Sequence, residues 1–190
     1  MNDVLRRSAR LASAGLCGLL IAGCAQLPGM PSATPCAPDA PLGPPLAGFD
    51  IDGRISLRQG QRTDHLNFVW RHDAAQDELT LSTPLGQGLA RLQRDGHGAR
   101  LRLSDGSERV APDWRALARD ALRSDVPIDV LPDWLRGAMP RRQASHEGWA
   151  VDVTAVRDLA GDPCRRLPRV LEARRDDVEL KIVVDAWGDE

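Results

Sequence analysis

The sequence predicts an α+β domain: a curved antiparallel sheet with short helices on its concave side, behind a proline-rich N-terminal segment. Three observations carry this. Apolar residues alternate with polar ones from Ile51 to Leu103, the period lengthens to 3.6 from Trp114, and alternation returns from Trp149 to the C-terminus. At 190 residues one domain is the default, and 42% hydrophobic residues are too many for a disordered chain. With 25 basic and 27 acidic residues, formal net charge −2, nucleic acid has no electrostatic case as a partner.

The strands follow in order. Ile51, Gly53, Ile55 and Leu57 alternate with Asp52, Arg54, Ser56 and Arg58; Leu66, Phe68 and Trp70 form a second set. Leu79 and Leu81, then Leu89 to Arg94, then Leu101 and Leu103 continue it. Gln59-Gly60, Asp73 to Gln76, Asp95-Gly96 and Asp105-Gly106 supply turns between them. One face reads apolar and the other charged, the pattern of an antiparallel sheet with one solvated side. Trp114, Leu117, Ala118, Ala121 and Leu122 then make one stripe of an amphipathic helix. A second helix is predicted from Asp129 as N-cap to Arg136, ended by Gly137, with Leu131, Trp134 and Leu135 facing inward. Strands resume with Trp149, Val151 and Val153, with Val170 to Arg174, and with Val178, Leu180, Ile182, Val184 and Ala186.

The N-terminus is an address. Arg6, Arg7 and Arg10 precede a 12-residue apolar run from Leu11 to Ala22, too short to span a bilayer. The run ends in Ile21-Ala22-Gly23-Cys24, which resembles a bacterial lipobox. That resemblance implies a signal peptide over 1–23 and an acylated Cys24, whose lipid chains each contribute ~0.8 kcal/mol per buried CH₂. Ala25 follows in place of an aspartate that would resemble inner-membrane retention, so a lipid-anchored protein of the outer membrane, facing the periplasm, is expected. Loss of 1–23 removes three Arg and one Asp, leaving 22 basic against 26 acidic residues, or −4. From 24 to 48 seven prolines and no apolar periodicity predict an extended tether, with the folded domain over 49–190.

Of the remaining cysteines, Cys36 and Cys164 could bridge in an oxidising compartment, closing a loop that restrains the unfolded chain by up to ~4–5 kcal/mol; the alternative is two free thiols. His65, His72, His97 and His146 show no metal-ligand spacing with one another or with cysteine, so no metal and no cofactor are expected. There is no Gly-x-Ser-x-Gly elbow, P-loop or dinucleotide fingerprint. Asp and Glu read as spread along solvent faces, and Ser145-His146-Glu147 are chain neighbours whose side chains diverge. An enzyme is not supported.

The segment Ser82-Thr83-Pro84-Leu85-Gly86-Gln87-Gly88 sits between two strands and carries Leu85 at its tip, where a polar residue is usual. Residue type alone favours Leu85 folding back over the sheet edge.

Gly53-Arg54-Ile55, Asn67-Phe68-Val69-Trp70, Ser82-Thr83-Pro84-Leu85-Gly86, Pro127-Ile128 leading to Trp134-Leu135-Arg136-Gly137, Gly148-Trp149 and Lys181-Ile182-Val183-Val184 to Trp187 stand in one order after the lipobox. Together they resemble the LolB family of outer-membrane lipoprotein receptors. The resemblance implies an unclosed antiparallel β-barrel capped by short helices, like that of the periplasmic carrier LolA. It implies a monomer that takes acylated lipoproteins from a LolA-like carrier and releases them into outer-membrane lipid. Under it Leu85 becomes a membrane-targeting residue. The acyl cavity would be lined from Ile55, Leu57, Phe68, Trp70, Leu79, Leu81, Leu101, Leu103, Trp114, Leu117, Leu131, Trp134, Trp149, Leu180 and Ile182, each of which could equally pack a filled core. With no tyrosine in the chain, a polar handle in such a cavity must come from a Trp N–H or an Arg. The rival reading is a lipid-anchored scaffold subunit of an envelope assembly complex, with a filled core and Leu85 at a protein interface.

Overall fold

Ten strands hydrogen-bond into one antiparallel sheet in a computed structural model that describes residues 42–122, 125–139, 141–159 and 162–188. They are β1 (Phe49–Gln59), β2 (Arg62–His72), β3 (Asp77–Ser82), β4 (Gly88–Asp95), β5 (Gly98–Leu103), β6 (Glu108–Ala111), β7 (Gln143–His146), β8 (Trp149–Leu159), β9 (Asp162–Arg175) and β10 (Val178–Trp187). Two helices, α1 (Trp114–Leu122) and α2 (Leu131–Leu135), stand between β6 and β7 in the chain. The order across the sheet is β6-β5-β4-β3-β2-β1-β10-β9-β8-β7, so β6 and β7 are its edges and the barrel is unclosed. The fold is the α+β, helix-capped half-barrel expected from the sequence.

Alternation in the sequence becomes rows of side chains across the inner face. Val153, Leu171, Ile182, Ile55 and Leu66 stand side by side on β8, β9, β10, β1 and β2. The next row runs Val184, Gly53, Phe68, Leu81, Ala90 and Leu103. Beyond it come Ile51, Trp70, Leu79, Leu92 and Leu101. Cross-strand neighbours on one face are the packing unit of a sheet, so a one-residue slip would expose the whole set.

The turns behave as their residues predict. Asp73 accepts from the backbone N–H groups of Ala75 and Gln76 at 2.7 and 2.9 Å, Asp95 from His97 at 2.7 Å and Asp105 from Ser107 at 2.8 Å. The β1–β10 register shifts between Asp52 and Gly53. A Cβ at Gly53 would lie 2.0 Å from the Val183 carbonyl oxygen and 3.0 Å from the Phe68 ring, so this bulge and the Phe68 packing both require glycine there.

The helices differ from expectation at one end. α1 buries Trp114, Leu117 and Ala118 as its stripe predicts, and Asp113 caps it by accepting from Ala116 N–H at 2.7 Å. The N-cap of the second helix falls one residue after the proposed Asp129. Val130 occupies the N-cap with no side-chain bond, Pro132 lies in the first turn, and residues 128–130 form a turn instead. Pro132 is tolerated there because first-turn N–H groups have no helical partner. Gly137, at φ +86°, ends the helix as expected.

Contacts with the domain begin before Phe49. Leu42 and Leu46, in the segment read as tether, are buried. The Leu46 N–H donates to the Arg136 carbonyl at 2.9 Å, and the Arg136 guanidinium donates back to the Leu46 carbonyl at 2.9 Å. The Arg166 N–H reaches the Leu42 carbonyl at 3.2 Å. The proline pattern conceals two leucines that seal the inner face beside α2.

Candidate acyl-binding face and its rim

Most of the inner face is packed. Only its residues nearest the β3–β4 loop, chiefly on β1 to β5, are half-buried, while Trp149 and Leu180 at the same end are fully buried. Phe68, Trp70, Leu79, Leu101, Trp114, Leu117, Leu131, Trp134, Trp149, Leu180 and Ile182 are buried in one continuous core. Trp70 on β2 stacks on Trp114 of α1, ring centroids 5.5 Å apart, so the helix is held onto the sheet by aromatic contact. Ile55, Leu57, Leu81 and Leu103 are only half-buried against this core, together with Leu66, Ala90 and Val178. The register places these residues at the end of the sheet where β3 runs out into the Thr83–Gln87 loop. The result is an apolar rim at one mouth of the half-barrel.

That loop is rigid, and its leucine is not folded back. The Gly86 N–H donates to the Thr83 carbonyl and the Thr83 N–H to the Gln87 carbonyl, both at 2.8 Å. The Thr83 hydroxyl accepts from the Gln87 N–H at 3.1 Å, and the Asn67 amide donates to the Thr83 carbonyl at 3.3 Å. Pro84 fits the second position of this turn, and Gly86 takes the positive φ of +83° that closes it. Leu85 is left at the apex 97% exposed, among the largest free apolar surfaces of the described residues. Preference by residue type for a folded-back leucine is overridden by the Thr83 hydrogen bonds, which fix the turn's direction.

At the opposite end, sequence reasoning missed a buried carboxylate. Asp77 is 2% exposed on the inner face, contrary to the reading that acids keep to solvent faces. It accepts from Trp70 Nε1 at 3.0 Å and from Arg94 Nε at 2.7 Å, pairs with His72 Nδ1 at 2.8 Å, and takes a second bond from Arg94 Nη2. Burial pushes its pKa up, but the bonds from His72, Arg94 and Trp70 outweigh that and hold it below the usual carboxylate range. The signal was available: Asp77 is in phase with Leu79 and Leu81, so a strand through them must turn a carboxylate inward.

Ion pairs hold the outer side of α1. Arg115 pairs with Glu147 in the β7–β8 turn and lies 3.4 Å from Asp125; Arg119 also reaches Asp125 at 3.4 Å, as does Arg175 at 3.3 Å. Glu147, with φ +46°, is thus spent on Arg115, while the His146 ring packs edge-on to Trp134 at 6.0 Å. Arg115 and Arg175 are half-buried and share the half-buried Asp125 carboxylate, so the pairs act as a network that orients the helix. Inside, the Nε1 atoms of Trp114 and Trp149 are buried with no acceptor among the described residues. Cys24 and Cys36, and with them the expected Cys36–Cys164 bridge, lie outside what is described.

Comparison with known proteins agrees with this architecture. The family described as "Outer membrane lipoprotein LolB" matches residues 47–187. A protein of Azoarcus sp. (strain BH72), named outer-membrane lipoprotein LolB, is 31% identical over 96% of this chain and 98% of its own length. One of the same name from Alkalilimnicola ehrlichii is 30% identical over 96% of this chain and 98% of its own. Another, from Bordetella petrii, is 38% identical over 66% of this chain and 60% of its own.

Proposed function

The chain belongs to the LolB family of outer-membrane lipoproteins, and from that premise we propose that it is the membrane-anchored receptor that takes lipoproteins from a LolA-like periplasmic carrier and places them in the outer membrane. The observation that carries the reading is that the half-buried rim (Ile55, Leu57, Leu81, Leu103) and the exposed Leu85 loop stand at the same end of the sheet.

The chemistry needed is burial alone. Acyl chains leaving a carrier enter at the rim, each methylene kept from water contributing ~0.8 kcal/mol, and advance as α1 and α2 give way. The stacked Trp114 would separate from Trp70 and expose the apolar face beneath. The buried indole N–H groups of Trp114 and Trp149 are donors for the carbonyl oxygens of the acyl linkages. Release follows when the bilayer offers more burial than the half-barrel. Cys24 carries the lipid anchor, and Leu85 brings the mouth into contact with the membrane. No covalent step and no nucleotide enters the scheme.

The test mixes the Cys24→Ala chain with LolA loaded with a labelled triacylated lipoprotein and follows the label after separation. Transfer of label to this chain is the expected result. Label that stays on a competent cognate carrier would overturn the receptor reading and favour the lipid-anchored scaffold with a filled core.

A further inference from the structure

On the outer face, two neighbouring rows of the sheet build a small pocket that carries two ion-paired cations on its wall. His65, Ser56 and Lys181 stand side by side on β2, β1 and β10; Asn67, Arg54 and Val183 form the adjacent row. Ser56 is short between two long neighbours, and the dip over it opens a pocket of about 220 Å³. Its polar lining is Arg54, Ser56, His65, Asn67 and Lys181, and the rest of it, Pro84 included, is apolar. Pro84 precedes Leu85, and Asn67 holds the same loop through the Thr83 carbonyl. A leucine inserted in lipid would therefore bring this pocket to headgroup depth.

The donors are preset. Arg54 is fixed by Asp185, its Nε and Nη2 each donating at 2.8 Å, which leaves Nη1 free of that pair. Lys181 Nζ donates to Glu172 at 2.9 Å and has further hydrogens available. Asp185 and Glu172 stand beside the pocket and offset the charge of these two side chains, so the site offers directed hydrogen-bond donors rather than a net positive charge. A cluster of hydroxyl, ammonium, guanidinium and imidazole groups is suited to an oxyanion with several acceptor oxygens.

We propose that this pocket receives the phosphate of an anionic phospholipid headgroup such as that of phosphatidylglycerol, pairing a polar contact with the apolar one made by Leu85. The inference rests on the membrane-docking reading of Leu85 and adds a lipid-recognition site to it. Held together on one rigid hairpin, the two contacts reinforce each other as linked sites do.

Flotation of the full chain carrying Cys24→Ala, with phosphatidylcholine vesicles containing or lacking phosphatidylglycerol, tests it. All variants share one N-terminus, so differences between them report on the domain. Ser56→Asp, which sets a carboxylate on the pocket floor, and Lys181→Gln should each cut binding to the anionic vesicles about fivefold, the effect of one basic residue near an anionic surface. Arg91→Gln, an outward cation on β4 away from the pocket, should leave binding unchanged. Equal losses for Arg91→Gln and Lys181→Gln would mean diffuse attraction and overturn the site. Leu85→Glu lowering binding while Ser56→Asp does not would overturn the pocket and leave the loop reading standing. No effect of either would overturn both. A response to inorganic phosphate without any dependence on phosphatidylglycerol would assign the pocket to free phosphate and overturn the lipid assignment.

Discussion

The indole N–H of Trp70 donates to the carboxylate of Asp77 across 3.0 Å, joining the largest side chain of β2 to a buried charge on β3. That hydrogen bond is made at the edge of the indole and leaves its face to stack on Trp114, so Asp77 helps set the orientation of the ring on which α1 rests. Removing the charge leaves Arg94 without its partner in a half-buried site. Asp77→Asn should lower the unfolding free energy by about 3 kcal/mol, as expected for breaking one side of a buried pair. Urea denaturation followed by tryptophan fluorescence measures it; a change below about 1 kcal/mol, the size of a surface pair, would refute the assignment.

The same carboxylate gives a pH signature. Its folded-state pKa is depressed below the unfolded value of about 3.9, so its contribution is complete above that value and is lost as pH falls through the lower folded one. The wild-type denaturation midpoint should be flat near neutrality and decline below about pH 4. Asp77→Asn should show a shallower decline in that window. Parallel acid curves for the two proteins would remove Asp77 as its source.

Gly53 admits no side chain. Gly53→Ala should cost about 3 kcal/mol, the upper part of the range for overpacking, because the Val183 carbonyl and the Phe68 ring both occupy the space. Gly86→Ala tests a different cause: nothing lies within 4 Å of that position, and only its positive φ resists substitution. Its cost should be about 1 kcal/mol. Thermal unfolding of both variants decides the order, and equal costs would mean that steric contact at Gly53 relaxes freely.

Two substitutions, one at the loop apex and one on the rim, should separate acceptance from delivery. Leu85→Glu leaves the rim intact, so label should still move from carrier to this chain while incorporation into vesicles is lost. Leu57→Glu places a charge on the rim itself and should reduce acceptance by roughly tenfold, since a lost leucine contact costs ~1.5–3 kcal/mol. Normal incorporation by Leu85→Glu would remove the loop from the mechanism.

The sheet was legible wherever strands are long and one-sided, as from Ile51 to Leu57 and from Val178 to Val184, because burial of one face leaves a period of two in the sequence. Ala186, read as one of the same set, is exposed opposite Asp52 because the register shifts at the bulge. The edges were not legible. β6 and β7 are four-residue polar strands, Glu108–Ala111 and Gln143–His146, whose place is fixed by pairing with β5 and β8 and by no pattern of their own. Leu42 and Leu46 were hidden by the prolines around them. At the site, the residue types of the inner face could be listed from alternation, but the division into a packed core and a half-buried rim depends on where α1 and α2 come to rest. That is a tertiary fact. Residue type alone misjudged the Leu85 apex, the family resemblance implied a loop leucine directed at the membrane, and the Thr83 hydrogen bonds give the physical reason for its exposure.

The two edge strands, β6 and β7, are consecutive in the chain and are connected by the stretch that contains α1 and α2. The seam of the half-barrel is thus crossed by a single covalent strap rather than by a ladder. In the receptor proposed above, such a wall would widen by letting out the strap while every strand-to-strand junction stays zipped, so cargo of different girth would be resisted mainly by the side chains under the strap.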